Sequence, residues 1–123
     1  MKYYKYLNLN PLGEHTKDCV CRAISLGLDE DYDVIEYKLY LIAKLFECDT
    51  LCVCCYQHLL DNVYGLERID GYRGMTIKEF LKENQRGIYI IRVREHLTCA
   101  INGIINDIWD CTNEIIDIIW FVE

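Results

Sequence analysis

Two cysteines lie close together in the stretch HTKDCVCRAIS, which runs from His15 to Ser25. Cys19 falls at the predicted start of a short helix, where free backbone N–H groups and the helix dipole lower the pKa of a thiol and stabilise an oxyanion. Cys21 lies two residues further on, about 200° around the helix, so a single cleft receives only one of the two side chains. We therefore predict that Cys19 is a nucleophile at the open end and that Cys21 is buried.

A cysteine nucleophile needs a general base, and His96 supplies one where the predicted strand HLTCAI follows a polar turn. The base in turn needs an acceptor that orients its second ring nitrogen. The Asn102-Gly103 pair predicts a two-residue hairpin that folds the next strand back and brings Asp107 or Asp110 near the imidazole. Because Asp107 faces His96 only after a small slip in register, spacing alone leaves both acids as candidates.

Each of these residues also has a purely structural interpretation. Free cysteine is among the most buried residue types, so Cys19 taken alone is more typical of a small core residue. His96 could bond to the backbone at the end of its strand, and the two acids could belong to turns. The functional interpretation therefore depends on the order of cysteine, histidine and acid along the chain.

Periodic apolar residues and capping signals predict the helices that position these side chains. Four helices are expected, at about residues 19–27, 32–46, 51–63 and 76–87. Gly27 is expected to end the first helix in a left-handed conformation. Val34, Ile35, Leu39, Ile42 and Phe46 are expected to form the buried face of the second. The reciprocal capping pair Thr76 and Glu79 is expected to begin the fourth.

From Gly87 onward the pattern becomes typical of strands, with the runs IYIIRV, HLTCAI, IINDIW and IIDIIWF. A short strand at residues 66–69 is expected to join this sheet. Tyr3, Tyr4 and Tyr6 are interpreted as an edge strand or a partner surface, because no basic residues interleave them as in a base-stacking surface. The predicted fold class is α+β, with N-terminal helices packed on a C-terminal antiparallel sheet in one domain over residues 1–123.

Three segments, DCVCRAIS, TIKEFLKENQRGIYIIRV and HLTCAINGIINDIWD, together resemble a group of small phage and low-GC bacterial proteins with the papain-like cysteine peptidase fold. The pattern of that group runs Asp-Cys-Val-x-Arg-Ala, then Thr-x-Lys-Glu-Phe, then His-Leu-Thr-Ala, then Asp-x-Trp-Asp. The triplet DIW at Asp107 to Trp109 would correspond to the Asn-Ser-Trp triplet of papain-like enzymes. The resemblance covers about residues 17–120 and implies a compact papain-like form of the α+β fold.

The resemblance also implies roles for single residues: Cys19 as nucleophile, His96 as base and Asp107 as the residue that orients the base. The oxyanion glutamine of papain-like enzymes would fall at Gly13, so the oxyanion hole would come from the Cys19 backbone N–H and a neighbour. The candidate neighbours are Asn10, His15, Thr16 and Lys17. The candidate oxyanion or accessory residues are Lys17, Asp18, Asp110 and Trp109. Asp18 is expected to raise the pKa of the adjacent thiol, against the effect of the dipole.

A second group of thiols invites a metal interpretation, since thiolates and imidazoles are zinc ligands. Its members are Cys48, Cys52, Cys54, Cys55 and His58. The spacing lacks paired Cys-x-x-Cys knuckles, and on a helix Cys48, Cys52 and Cys55 would form one inward stripe. We therefore expect core packing here, with no metal and no cofactor.

Composition narrows the range of partners. The chain has 20 acidic and 13 basic residues, a net charge of -7, and so no basic stripe for nucleic acid. The N-terminal stretch lacks the apolar run of a signal peptide, and no segment approaches the roughly 20 apolar residues of a membrane span. A cytoplasmic protein with reduced thiols is therefore expected, in the host cytoplasm if a phage encodes it. The sequence leaves the oligomeric state open.

Two functional hypotheses follow. The first is a thiol hydrolase or transferase, such as a cysteine peptidase, that acts on an amide, isopeptide or thioester through Cys19, His96 and Asp107. Its partner would be a protein or peptide substrate. The second is a non-catalytic phage-type binding protein on the same scaffold, which inhibits a host defence protein through its acidic face.

Overall fold

The protein, described here from a computed structural model, is defined over residues 2–123. The helices are α1 Cys19–Leu28, α2 Tyr32–Phe46, α3 Val53–His58 and α4 Ile77–Glu83, with one π-helical turn, Leu59–Val63, that continues α3. The strands are β1 Tyr4–Tyr6, β2 Glu67–Arg68, β3 Ile88–Val93, β4 His96–Ile101, β5 Ile104–Asp107 and β6 Ile116–Phe121. Within residues 2–123, none of the helices combines the length and apolar character needed to span a bilayer.

The strands form one six-stranded sheet in the order β1-β5-β4-β3-β6-β2. Four of the five strand pairings are antiparallel, and the hairpin between β4 and β5 turns at Asn102 and Gly103, both with positive φ, as the sequence predicts. The expectation of a purely antiparallel sheet is wrong, because β1 pairs parallel with β5, Tyr4 opposite Ile105. The α+β class is therefore confirmed, with a mixed sheet whose outer strand comes from the N-terminus.

Alternation along the strands separates two apolar cores. In β3, Ile90 packs with α1, α2 and α3, while its neighbour Ile91 packs with α4 on the opposite face. In β6, Trp120 and Ile119 divide between the same two cores. Because successive strand residues face opposite sides, a sheet covered by helices on both faces needs apolar residues at nearly every position. The long apolar runs of the C-terminal half meet this need.

The end of α1 corrects one sequence prediction. Gly27 does not adopt the left-handed conformation; that role falls to Asp29, with φ of 53°. Gly27 is instead a point of close approach, since a Cβ there would lie 2.8 Å from Ile90 Cγ1. The missing side chain thus lets α1 lie directly on the sheet that carries the histidine.

The next two helices also differ from expectation at their outer positions. In α2, Ile35, Leu39 and Ile42 are buried as predicted, but Val34 and Phe46 are exposed because the helix covers the core with one face only. Helix α3 begins at Val53, about two residues later than predicted, after a turn closed by Cys52 N–H donating to Asp49 O. Consequently Leu51 precedes the helix and is exposed, as is Val63 at the far end.

Helix α4 begins as predicted. The Thr76 hydroxyl accepts a hydrogen bond from Glu79 N–H at 3.1 Å, and the Glu79 carboxylate accepts one from Thr76 N–H at 3.1 Å. Such a reciprocal cap satisfies two backbone donors that a helix N-terminus otherwise leaves unpaired. The helix then covers the second core with Ile77, Phe80 and Leu81.

Candidate active site

Cys19 is the first residue of α1 and opens into a cleft of about 660 Å³. His96 and Trp109 line the same cleft. Over residues 2–123, no side chain caps the N-terminus of α1, so the N–H groups of its first turn stay available beside the thiol. The thiol therefore lies where a helix end presents donors to a cavity large enough for a small acyl group and part of its chain.

The histidine and its acid come from the two strands of the predicted hairpin. His96 begins β4, Asp107 ends β5, and His96 Nε2 lies 2.6 Å from Asp107 Oδ2. Ala100 of β4 pairs with Ile105 of β5. The same register, extended by two residues, places Asp107 opposite Thr98 and therefore diagonal to His96. Nε2 is engaged by the carboxylate, and the imidazole lowers the pKa of the Cys19 thiol, which lines the same cleft.

Asp107 is a buried carboxylate whose hydrogen-bonding capacity is filled. Besides the contact with His96, Oδ2 accepts from Thr98 Oγ1 at 2.7 Å. Oδ1 accepts from Arg22 Nη1 at 2.9 Å and from Ile108 N–H at 2.7 Å. A buried charge is stable only when it is paired and fully hydrogen-bonded, and these donors meet that condition. The carboxylate is thereby fixed in position and held ionised.

The ionisation of the three groups follows from these contacts. Burial opposes charge on Cys19, but hydrogen bonds from His96 and the Leu97 backbone lower the net pKa of its thiol. Burial likewise opposes charge on His96, yet its hydrogen bonds, first that with Asp107, raise the pKa to about 11. Burial would raise the pKa of Asp107, but the bonds to His96 and Thr98 lower it. The arrangement therefore favours a thiolate and an imidazolium over the neutral pair.

Asp18 has a different role from the one expected. Its Oδ1 accepts from Arg22 Nε at 2.7 Å, and its Oδ2 accepts from the Tyr32 hydroxyl at 2.7 Å and from Asn10 Nδ2 at 3.0 Å. Although burial opposes its charge, these bonds lower the pKa of Asp18. The Arg22 guanidinium thus neutralises Asp18 as well as Asp107, and the expected rise in the pKa of Cys19 does not prevail.

The remaining predicted accessory residues separate into two sets. Lys17 and Trp109 line the cleft, and the Trp109 ring lies 4.9 Å from the His96 ring, centroid to centroid. Asp110 instead accepts from the N–H and hydroxyl of Thr112 in the turn after β5. The structure therefore brings Cys19, His96 and Asp107 together and places Asp110 in a turn.

Three residues of this network received no role from the sequence. Arg22 joins the two carboxylates, Thr98 bonds Asp107, and the buried Cys111 lies 3.9 Å from Asp107 Oδ2. The first two could have been found from the sequence. Arg22 lies four residues after Asp18 and so on the same face of a helix, and Thr98 lies two residues after His96 and so on the same face of a strand. Cys111 could not, because it follows an irregular turn whose path the sequence does not specify.

His96, Asp107 and Cys111 also place three donor atoms within 4.8 Å of one another, as metal ligands would. The carboxylate, however, already accepts from His96 and Thr98 at one oxygen and from Arg22 at the other. A cation would have to displace the proton shared with His96 and lie close to a guanidinium. The donor set therefore fits a hydrogen-bonded triad better than a metal centre.

A second cavity of about 550 Å³ adjoins the cleft and shares three lining residues with it, Lys17, Val20 and Leu51. Asp33 and Glu36 lie in the wall of this second cavity. The thiol therefore lies in a cleft whose neighbouring cavity is acidic.

Comparison with known protein families, with curated proteins and with solved structures finds no match for this chain.

Proposed function

We propose that the protein is a thiol hydrolase or acyl transferase with a compact papain-like arrangement, acting on an amide, isopeptide or thioester. One observation supports this most strongly: an imidazole bonded to a buried carboxylate through Nε2 lines the same cleft as a helix N-terminal cysteine and lowers the pKa of that thiol. Nucleophile, base and orienting acid in this relation are the parts that acyl transfer through a thioester requires.

The reaction begins when the Cys19 thiolate attacks the substrate carbonyl carbon and a C–S bond forms. Negative charge moves to the carbonyl oxygen, where the free N–H groups at the start of α1 stabilise it. The His96 imidazolium then donates its proton to the leaving amine or thiol, and the bond to the leaving group breaks. His96, now neutral, takes a proton from water as it attacks the thioester, which releases the acid and restores the thiolate and imidazolium.

The two adjoining cavities favour a polypeptide-like substrate over a small acyl donor. The cleft beside Cys19 shares Lys17, Val20 and Leu51 with the cavity that holds Asp33 and Glu36. A substrate chain long enough to occupy both spaces would place a basic side chain against these two carboxylates. We therefore propose an extended segment with a basic residue on one side of the scissile bond.

The reaction class can be tested before the substrate is known, with p-nitrophenyl acetate as the acyl donor. We expect a burst of p-nitrophenolate and an acetyl thioester on Cys19, detected by intact mass and peptide mapping. Cys19→Ala should remove both, and Cys21→Ala, a matched change two residues away, should keep them. Acetylation that is unchanged in Cys19→Ala, or no adduct at Cys19, would exclude this function.

One observation favours a second candidate, a binding protein that inhibits another protein. The solvent side of α2 carries Val34, Tyr37, Leu41 and Leu45 at helical spacing, exposed by between 40% and 74%. An exposed apolar stripe is typical of a protein interface. With a net charge of -7 on the chain, the partner would present an apolar surface with a basic rim.

The two candidates predict opposite mutational patterns in the effect of expression on bacterial growth. If the protein is an enzyme, Cys19→Ala should remove the effect and Leu41→Asp should keep it. If it is a binder, Leu41→Asp should remove the effect and Cys19→Ala should keep it. Both side chains are partly exposed, so circular dichroism should show both variants folded.

A further inference from the structure

Three thiols converge on the surface where α2 gives way to α3. Cys48 follows the end of α2, Cys52 is the residue before α3, and Cys54 is the second residue of α3. The Sγ atoms of Cys52 and Cys54 lie 2.9 Å apart, and those of Cys54 and Cys48 lie 3.3 Å apart. All three sulfurs fall within 4.8 Å of one another.

This cluster differs from the core packing that the sequence predicts for these cysteines. Cys55 is fully buried and its thiol donates to Leu39 O, so its sulfur faces the interior. Cys48 and Cys52 are only half-buried, and Cys54 is exposed. The predicted inward stripe of Cys48, Cys52 and Cys55 is therefore right for Cys55. It is only partly right for Cys48 and Cys52, because the helix α3 begins at Val53 and these two residues precede it.

We propose that Cys48, Cys52 and Cys54 bind one thiophilic divalent metal ion of the zinc class, with a solvent molecule as fourth ligand. Zinc binds thiolates at about 2.3 Å, and a tetrahedral angle then separates the sulfurs by about 3.8 Å. The observed separations of 2.9 and 3.3 Å are shorter than this by a few tenths of an ångström to about one ångström. Small side-chain rotations at two partly exposed residues and one exposed residue would admit the ion.

Charge also favours a cation at this place. Three thiolates at such distances would repel one another strongly, and a divalent ion replaces that repulsion with attraction. His58 does not complete the site, because its ring packs edge-on against Phe46 at 4.9 Å and its Nδ1 is bonded to Asn62. The fourth position is consequently left to solvent.

The ion would connect the chain that follows α2 to α3, whose start lines the cleft. Cys48 follows α2 and Cys54 belongs to α3, so a bond from each to one metal would close the turn at residues 47–52. Cys52 and Val53 also line the cleft beside Cys19. Metal binding would therefore fix the position of these lining residues without supplying a group to the thiol chemistry.

The test is a titration of the reduced protein with Co²⁺, followed by zinc competition and elemental analysis of the gel-filtered complex. We expect about one ion per chain and the intense near-ultraviolet band of thiolate-to-cobalt charge transfer. Cys48→Ser, Cys52→Ser and Cys54→Ser should each weaken binding at least tenfold. Cys54→Ser carries the most weight, because this exposed side chain contributes little to packing.

Two control variants keep the result specific. Cys111→Ser removes a thiol from the other group of donors, which includes His96 and Asp107, and should leave the cobalt band unchanged. Cys19→Ser should also leave it unchanged, which separates this site from the proposed hydrolase. The proposal is overturned if the reduced protein takes up no ion, or if uptake survives all three serine changes. It is equally overturned if Cys111→Ser alone removes the band.

Discussion

The two cysteines at the start of α1 lie two residues apart and have opposite surroundings. Cys19 faces the cleft, beside His96 and the Leu97 backbone. Cys21 faces α2, is 6% exposed, and donates its thiol to Tyr32 O at 3.3 Å. Interactions with strand β4 lower the pKa of Cys19, whereas burial, then the nearby Glu36, raises that of Cys21 to about 12.

The difference shows that the helix N-terminus alone does not select a reactive thiol. Both sulfurs lie in the first turn of the same helix and share the same dipole. What separates them is a histidine about 75 residues further along the chain, held by an acid on the adjacent strand. The lowered pKa of Cys19, and the reactivity that we propose for it, therefore depend on tertiary structure, and changes that loosen the imidazole should reduce the difference between the two cysteines.

The largest effect is expected from Asp107→Asn. The amide cannot hold the imidazolium, so the acyl-transfer rate at Cys19 should fall by roughly 10²- to 10⁴-fold. Stability should fall by about 3 kcal/mol, the lower end for breaking a buried ion pair, because Arg22 keeps its second partner, Asp18. Rates with p-nitrophenyl acetate and urea unfolding measure the two effects.

Asp110→Asn is the matched control for that change. Among residues 2–123, Asp110 accepts hydrogen bonds only from Thr112 in the same turn, so its variant should keep the acylation rate and lose less than about 1 kcal/mol. If both variants lost the same acylation rate and the same free energy of unfolding, the bond between Asp107 and His96 would not be the cause of the loss.

The next largest effect is expected from pH, which should change the free energy of unfolding through Asp107 and His96. The folded pKa of Asp107 lies below its ordinary 3.8, so its contribution is present above that pH and is lost as the pH falls through the folded value. The folded pKa of His96 is raised from 6.5 to about 11, so its contribution is complete below pH 6.5 and is lost as pH rises towards 11. Urea midpoints should therefore decline on both sides of a central plateau.

The same titration of His96→Ala isolates the alkaline decline. Without the imidazole, the loss above pH 6.5 should shrink, while the acid decline, to which Asp18 also contributes, should persist. If the stability of His96→Ala declined above pH 6.5 as much as that of the unchanged protein, the decline would be due to groups other than His96.

The sequence predicts the helices and strands well where local signals are strong. The capping pair at Thr76 and the hairpin at Asn102 are local rules, and both hold. It fails where distant segments meet: the parallel strand β1 and the contact of Gly27 with Ile90 depend on partners that periodicity does not specify. In the site, spacing alone left Asp107 and Asp110 open, because the choice depends on register within one hairpin.

A smaller effect is expected from Gly27→Ala, which changes how α1 lies on the sheet. The added Cβ would meet Ile90 Cγ1 at 2.8 Å and Cδ1 at 3.0 Å, so we expect a loss of about 1 to 3 kcal/mol despite the better helix propensity of alanine. A small shift of α1 would also move Cys19 relative to His96 and slow acylation. Denaturant unfolding and the p-nitrophenyl acetate rate measure both.

The loss caused by Gly27→Ala should be smaller in an Ile90→Ala background, because alanine lacks both Cγ1 and Cδ1, the two atoms that the new Cβ meets. A double variant whose losses are the simple sum of the two single losses would show that the contact is not the cause.

The most direct test of the central claim is the pH dependence of iodoacetamide labelling, mapped to each cysteine by mass spectrometry. Cys19 should react faster than Cys21 at neutral pH and stay reactive below the ordinary thiol pKa of 9.0. His96→Ala should move the Cys19 profile back towards that value and leave Cys21 protected. Labelling of Cys21 as fast as Cys19, or a Cys19 profile that His96→Ala does not alter, would contradict the thiolate and imidazolium pair.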